Sequence, residues 1–369
     1  MNNDLKNIKN IDIIQWNITS YRAQFEELKI LIRDNYAPAC ICLQETRFVN
    51  DRIKPPSQYK ILQPTKNRND DHERGVALLI NKKTHHKEIS LDTPKTIEAV
   101  AAKIWLGKFY TICSIYISPN LVVTEQEILQ IIRQLPTPYL ILGDMNARHP
   151  LWGEPVANAK GNILENILIN QDLSLINYHD KTHLSIQHST KTLIDLSIAS
   201  SDCQSDFTHL VSESRHGSDH YPIKLSRTTA PKLGEPSLKF KIEKADWSKF
   251  TKLTSKYKET PANTSIEISV DHITSFLIEA AKESIPMSGG RQKKKIPIPW
   301  WNRECETASR ERKRAERALE RRDTLRNKIA YKRCKANCRY IFKKARKLHW
   351  ENYVSSINVN TPLGAVWKK

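Results

Sequence analysis

The sequence predicts a layered α/β domain, two packed sheets with helices outside them, followed by a basic and mainly helical C-terminal extension. Three observations carry this. Apolar runs of strand length recur through the first 226 residues, and only some are separated by amphipathic helical text, which fits packed sheets better than a purely parallel wheel. Carboxylates, amides and an imidazole stand just after several of those runs, at strand ends, where layered folds gather chemistry from distant sequence. Residues 291–369 hold 24 Lys and Arg against 7 Asp and Glu, +17 of the formal net +19, so a near-neutral body precedes a basic extension.

In chain order, Ile11-Asp12-Ile13-Ile14 reads as the first strand and leads into Gln15-Trp16-Asn17. Tyr21 to Arg33 reads as helix, because Phe25, Leu28 and Ile32 recur at spacings of three and four. Ala39 to Leu43 is a buried strand that delivers Glu45. Val76 to Ile80, Ala99 to Trp105 and Phe109 to Tyr116 are β-rich, the last two joined by a short turn at Leu106-Gly107-Lys108. Glu125 to Leu135 is a second helix with Ile128, Ile131, Ile132 and Leu135 on its apolar face, and Tyr139 to Leu142 is the strand that presents Asp144. Gly161 to Asn170 reads as a third helix, with Leu173 to Ile176, Thr192 to Ala199 and Pro222 to Leu225 as later strands.

These signals divide the chain into a catalytic body at 1–226, a linker and small mixed segment at 227–295, and a basic helical connector at 296–369. The middle segment opens on linker text from Ser226 to Pro236, continues through strand-like Phe240-Lys241-Ile242 and one or two helices, and closes on a basic hinge at 288–295. The connector is expected to be helical over about 302–354, with Trp300, Trp301, Tyr331 and Tyr340 interleaved among its Lys and Arg residues. Acidic partners four residues on are too few to neutralise it, so contact of the tail with nucleic acid, DNA or RNA, is expected. Cys334, Cys338 and His349 lack a fourth ligand at zinc-site spacing.

Other classes are disfavoured. The longest apolar runs, such as Gly75 to Ile80, fall far short of a membrane span, and Met1 to Lys6 contains no apolar core of a secretory signal. Seven cysteines, an odd number without such a signal, read as free thiols in a reducing compartment, Cys40, Cys42, Cys113 and Cys203 among them. An intracellular, nuclear setting is expected; the sequence does not fix the oligomeric state.

Three strings carry the chemistry: Leu43-Gln44-Glu45-Thr46, Gly143-Asp144-Met145-Asn146-Ala147 and Gly217-Ser218-Asp219-His220-Tyr221-Pro222. Together they supply a kit for cleaving phosphate esters. Glu45 suits a hard cation, Mg²⁺ with Mn²⁺ as substitute, since Mg²⁺ keeps several waters and needs only one or two carboxylates; a solvated strand-end carboxylate is the plain alternative. Asp144 and Asn146 project to one side if the strand persists, Asp144 to orient or deprotonate water and Asn146 to hydrogen-bond the phosphate, although turn chemistry alone would also place an Asn there. His220, one of twelve histidines, stands out by its adjacent Asp219 and the strand that follows. Asp219 is a second candidate metal contact, and whether His220 takes a proton or stabilises charge stays open. His149 to Gly153 reads as loop packing anchored by Trp152.

In this order and spacing the strings resemble the endonuclease/exonuclease/phosphatase superfamily, the fold of exonuclease III, abasic endonucleases and pancreatic DNase I. Two further matches strengthen the likeness: Gln15-Trp16-Asn17, where the family carries a metal-site Asn, and Leu193-Ile194-Asp195-Leu196-Ser197, matching the strand whose Asp orients the catalytic His. Tyr116-Ile117-Ser118-Pro119-Asn120 looks like the family's strand-end Tyr near the phosphate, with Asn120 one residue later than the usual spacing. The resemblance implies a DNase I-like four-layer α/β/β/α sandwich over 1–226. It implies Asn17, Glu45 and Asp219 at the metal, and Tyr116, Asp144, Asn146, Asp195 and His220 in catalysis.

A narrower likeness covers most of the chain. Asn146 to Gly153 and Pro299-Trp300-Trp301-Asn302-Arg303-Glu304-Cys305 look like the jockey-type branch of non-LTR retrotransposon proteins, in which an endonuclease precedes a basic helical connector and a reverse transcriptase. Tyr353 to Asn358, with Val366-Trp367 beyond, is similar to the connector just before the polymerase. No Tyr/Phe-x-Asp-Asp pair follows, so the expectation is a truncated element or fragment with nuclease but no polymerase. The implied activity is Mg²⁺-dependent nicking of DNA that leaves a 3′-hydroxyl for target-primed reverse transcription. A phosphatase or phosphodiesterase of the same fold is one rival, disfavoured by the basic tail. An inactive nucleic-acid-binding remnant is another, disfavoured by the intact strings.

Overall fold

The period-two alternation of strand side chains decides the layering. In β2 (Cys40–Gln44), Cys40 and Cys42 point into one apolar core while Ile41 and Leu43 point into another. Buried on both faces, such a strand reads as an unbroken apolar run. The computed structural model describes residues 11–48, 53–64, 75–185, 190–228, 240–255, 266–286, 297–358 and 361.

One six-stranded sheet has the order β13 (Phe207–Val211), β14 (Ile223–Arg227), β1 (Ile13–Asn17), β2, β4 (Ala77–Asn81), β3 (Tyr59–Leu62). The other runs β5 (His86–Ile89), β6 (Ile97–Trp105), β7 (Phe109–Ile117), β8 (Tyr139–Asp144), β12 (Asp195–Ser200), β9 (Leu173–Leu175). A separate hairpin joins β10 (His183–Ser185) to β11 (Thr190–Thr192). Ile13, Leu78, Ile80, Ile104, Ile112, Leu140 and Leu142 fill the space between the sheets. Helix α1 (Tyr21–Asp34) covers the first sheet with Leu28, Leu31 and Ile32, and α2 (Glu125–Ile132) and α3 (Ala159–Asn170) cover the second with Ile128, Ile131, Leu164 and Ile167. Each such side chain, fully buried, contributes about 1.5–3 kcal/mol. The result is the expected four-layer α/β/β/α sandwich.

The helices start where capping chemistry allows. Ser20 accepts from the Ala23 N–H, Thr124 and Glu127 form a reciprocal capping box, and Asn158 accepts from the Gly161 N–H. Gly143 answers to backbone: a β-carbon there would lie 1.8 Å from the Ile115 carbonyl oxygen across the parallel β7–β8 pair.

The local readings differ from the structure in three places. The expected strand Thr192 to Ala199 is two, because β11 pairs with β10 while Leu193 turns its N–H to the Glu154 carboxylate and β12 pairs with β8 and β9. Phe240-Lys241-Ile242 is not a strand; Ile242–Lys244 forms a single tight helical turn, closed by the Lys244 N–H on the Lys241 carbonyl. The long basic helix is broken into α6 (Arg303–Arg321) and α7 (Leu325–Ser355), after α4 (Trp247–Thr254) and α5 (Ile266–Ser284). Thr324 caps α7, and the Asn327 amide bonds the Ala318 and Arg322 carbonyls at the end of α6. The linker text from 229 to 236, the basic hinge 288–295 and Val366-Trp367 lie outside the described residues.

Residues 230–294 form one compact unit, in which α4 is tied to the end of α5 by Lys249 bonding the Glu283 carbonyl. The α6–α7 hairpin belongs to the other unit, together with residues 1–229. Ile30 of α1 packs with Trp300, Cys305, Ala308, Cys338 and Phe342. Cys305, Ala308, Arg312, Glu316 and Leu319, at spacings of three and four, form the buried stripe of α6. Two of these are charged and find opposite charges on the body: Arg312 meets Glu27 at 3.1 Å and Glu316 meets Arg215 at 2.9 Å. Among the described residues no helix is long and apolar enough to cross a membrane.

Candidate active site

The two sheets deliver their functional side chains to one end of the sandwich. Parallel β1 and β2 end at Asn17 and Gln44, which are cross-strand partners, so Asn17 and Glu45 are neighbours. In the second sheet Tyr116 is opposite Asp144, and Asp144 is opposite Asp195. The segment 212–222 then brings Asp219 and His220 over this end, held by Ser218 Oγ donating to the Asn17 carbonyl and Trp16 Nε1–H donating to the His220 carbonyl.

Asn17 Nδ2 donates to Glu45 Oε1 at 3.0 Å and to Asp144 Oδ2 at 2.9 Å, bridging the two sheets. Tyr116 Oη donates to the same Glu45 oxygen at 3.3 Å, and burial together with Glu45 and Asp144 keeps its phenol protonated. His220 stands between two carboxylates: Nδ1 is 2.8 Å from Asp195 Oδ2, and Nε2 is 3.8 Å from Asp144 Oδ2. Burial alone would lower the His220 pKa, but Asp195, Asp144 and Asp219 outweigh it and push it to about 10. The Asp144 carboxyl is raised by its own burial and by Asp195. Asp219 accepts from Thr19 Oγ1 at 2.6 Å; against burial, His220 and Thr19 hold its pKa down at about 2.

Asn146 sits just past β8 with a left-handed φ of 48°, its N–H on Asp144 Oδ1 at 3.0 Å. Its side-chain amide donates to the Ile117 carbonyl, which leaves a second N–H on that amide. All eight residues singled out from the sequence thus lie at this end. The Asn17 amide stands between Glu45 and Asp144, and its oxygen accepts the Thr19 N–H at 3.0 Å. Among the described residues the ligand-type atoms fall into two groups within 4.8 Å that share His220: Glu45, Asp144 and His220, and His183, Asp219 and His220. Glu45 is therefore grouped with Asp144 rather than with Asp219.

Four supporting residues escaped the sequence reading. Gln15 Nε2 donates to Asp195 Oδ1 at 3.2 Å and Thr182 Oγ1 to Asp195 Oδ2 at 2.7 Å, so the carboxylate that orients His220 is itself fixed. Thr19 fixes Asp219. His183 packs its ring 4.6 Å from that of His220 and, through burial and the neighbouring His220, is held neutral with a pKa of about 4. Gln15 left one signal, a polar side chain two residues before Asn17 in an otherwise apolar strand. Trp152 is wholly buried and donates to the Ala147 carbonyl, the loop anchor expected of it.

A divalent cation fits the donor set. Glu45 and Asp144 turn oxygens to the same point, where the Asn17 amide nitrogen bridges them and the Tyr116 hydroxyl also reaches Glu45, so an ion there would find two carboxylates with neutral groups beside them, the mixture Mg²⁺ accepts.

Residues 110–224 match the family model described as endonuclease-reverse transcriptase. The chain is 22% identical over 371 residues to a probable RNA-directed DNA polymerase from transposon BS of Drosophila melanogaster, covering 97% of this chain and 40% of that protein. It is 25% identical over 170 residues to the corresponding protein of the transposon X-element of Drosophila melanogaster, covering 44% of this chain and 18% of that one. It therefore spans less than half the length of these curated relatives. The solved endonuclease domain of TRAS1, a telomere-specific non-LTR retrotransposon, superposes with a TM-score of 0.50 and 19% identity, over 58% of this chain and 97% of that domain, which shows a common fold.

Proposed function

From the premise that residues 110–224 carry a domain of the endonuclease-reverse transcriptase family, we propose that the chain is a divalent-metal-dependent endonuclease that nicks DNA and leaves a 3′-hydroxyl. The observation that carries the reading is His220, bracketed by Asp195 on Nδ1 and Asp144 on Nε2. In this mechanism a water oxygen attacks phosphorus, the P–O3′ bond breaks, and the departing O3′ takes a proton from solvent, so that a 5′-phosphate and a 3′-hydroxyl result. Asp144 orients that water and takes its proton. Asn146, through its remaining amide N–H, and His220 hydrogen-bond the phosphate oxygens, where negative charge grows in the transition state. Asp195 fixes the orientation of His220 and stabilises its protonated form, as a carboxylate does for the imidazolium in hydrolytic triads. A Mg²⁺ or Mn²⁺ ion held by Glu45 with Asp144 beside it would neutralise phosphate charge when bound.

A 3′-hydroxyl at a nick is the primer a polymerase of the kind named in the curated relatives extends, which supports a role in target-primed reverse transcription in the nucleus. Relaxation of supercoiled plasmid by the purified chain with Mg²⁺, and its absence with chelator, tests the activity. Extension of the nick by a DNA polymerase without prior phosphatase treatment tests the 3′-hydroxyl. Cleavage that resists chelator, or a nick that cannot be extended, would overturn the reading.

A further inference from the structure

A cleft of about 240 Å³ opens beside the catalytic segment, between the first turn of α1 and the middle of α7. Arg22, Arg312, Lys335, Arg339, Lys343 and Arg346 contribute to its walls, together with Gly217, two residues before Asp219. Its two acids are already answered within the fold. Glu26 pairs with Lys29 at 3.0 Å and Arg346 at 2.8 Å, and Glu27 pairs with Arg312 at 3.1 Å and His216 at 3.3 Å. Among the described residues, Arg22, Lys335, Arg339 and Lys343 form no ion pair.

Two independent features point to an anion. The Arg312 side chain is 1% exposed, lines the cleft, and leaves its Nε without a hydrogen-bond partner among the described residues. Arg22, Ala23 and Gln24 belong to the first turn of a 14-residue helix, whose dipole favours negative charge there. Lys335, Arg339 and Lys343 repeat every four residues along α7, a like-charge spacing that weakens an isolated helix, so the stripe has no stabilising role of its own. Burial and the nearby Arg339 and Arg215 pull the Lys335 ammonium down to about 8 while Asp219 pushes it up, which places it within electrostatic reach of the catalytic segment.

We propose that this cleft seats the sugar–phosphate backbone of the DNA flanking the scissile bond, so that the C-terminal hairpin is the second jaw of the substrate site. The inference rests on the endonuclease reading and adds where the substrate runs.

The test uses the full chain and two double variants with equal changes in net charge. Lys335→Glu/Arg339→Glu alters the cleft. Arg326→Glu/Arg333→Glu alters exposed positions half a helical turn away on α7. Affinity for a linear DNA duplex is measured against salt with chelator present, which reads binding without catalysis. The cleft variant is expected to lose about two units of log–log salt slope, at roughly 0.9 per phosphate contact. Its KM for nicking should rise roughly tenfold with kcat changed less than about threefold, and the control pair should stay near wild type. If the cleft variant melts early, Lys335→Gln/Arg339→Gln, which keeps side-chain bulk, gives the same readout. Equal losses in both pairs, or no loss in the cleft pair, overturn the inference. Wild-type nicking, followed in parallel, reports separately on the endonuclease reading, and the salt slope decides the cleft whichever way that assay falls.

Discussion

Arg215 and Glu316 meet at 2.9 Å with both side chains shut off from solvent, joining the segment that carries His220 to the helical hairpin a hundred residues further on. The Arg215 guanidinium also lies 5.0 Å from the Tyr331 ring and 5.7 Å from that of Tyr221. An ion pair removed from water this completely gives little net stability, but breaking it strands a buried charge, at about 3–5 kcal/mol. Glu316→Ala is therefore expected to lower the unfolding free energy by about that much, read by denaturant melting of the full chain, and a shift under 1 kcal/mol would show that Arg215 finds another partner. By the same logic the body 1–236 alone, with Arg215 stripped of Glu316, Glu27 left to His216 and Ile30 uncovered, should melt well below the full chain.

The catalytic assignment makes a sharper demand. Glu45→Ala and His220→Ala should each abolish nicking, by on the order of 10³-fold or more, because each removes a charge-handling group from the reacting centre. Circular dichroism should stay near wild type for both, and melting near wild type for Glu45→Ala, while His220→Ala, which strips buried Asp195 and Asp144 of their cation, should melt lower yet remain folded. Nicking at the wild-type rate by either variant would remove that residue from the mechanism.

Thr182 offers a test of positioning rather than chemistry. Its hydroxyl donates to Asp195 Oδ2 at 2.7 Å, the oxygen that also receives His220 Nδ1 at 2.8 Å. Thr182→Val keeps the shape and deletes the bond, and loss of an outer partner of this kind typically costs about 10–100-fold. The fall should lie in kcat with KM little changed, and Thr182→Ser should recover most of it. A KM effect alone would place Thr182 in binding instead.

How far the site was legible follows from where its information resides. Glu45, Asp144 and Asn146 follow apolar strand text directly, and Asp219 and His220 form an adjacent pair just before a strand, so local pattern located them, while Asn17, Tyr116 and Asp195 came with the family likeness. Gln15, Thr19, Thr182 and His183 act through partners more than ten residues away, and of these Gln15 alone is marked locally, as a polar side chain in an apolar strand. Short strands such as β5, β10 and β11 are partly exposed and owe their form to pairing across the sheet or hairpin, which sequence period does not show. The helices of the connector were legible but their docking on the body was not, because Arg312 and Glu316 break the apolar stripe of α6. Their partners, Glu27 and Arg215, stand 285 and 101 residues away.

That docking also predicts a pH dependence. Glu27 is buried beneath Arg312 and His216; burial alone would raise its carboxyl pKa, but Arg312 and His216 outweigh it and hold the value below the ordinary 4.5. A carboxyl whose folded pKa is depressed binds its proton more readily when unfolded. Its contribution is therefore complete above the unfolded value, shrinks as pH falls through the window below 4.5, and is gone beneath the folded value. The melting temperature of the full chain should drop between pH 5 and pH 3. Asp219, Asp206 and Glu127 are also depressed and share that slope, so the informative quantity is the difference from Glu27→Gln. That variant should melt lower than wild type at pH 7 and converge on it toward pH 3. Parallel melting curves across the range would mean that the link between α1 and the hairpin does not depend on the Glu27 charge.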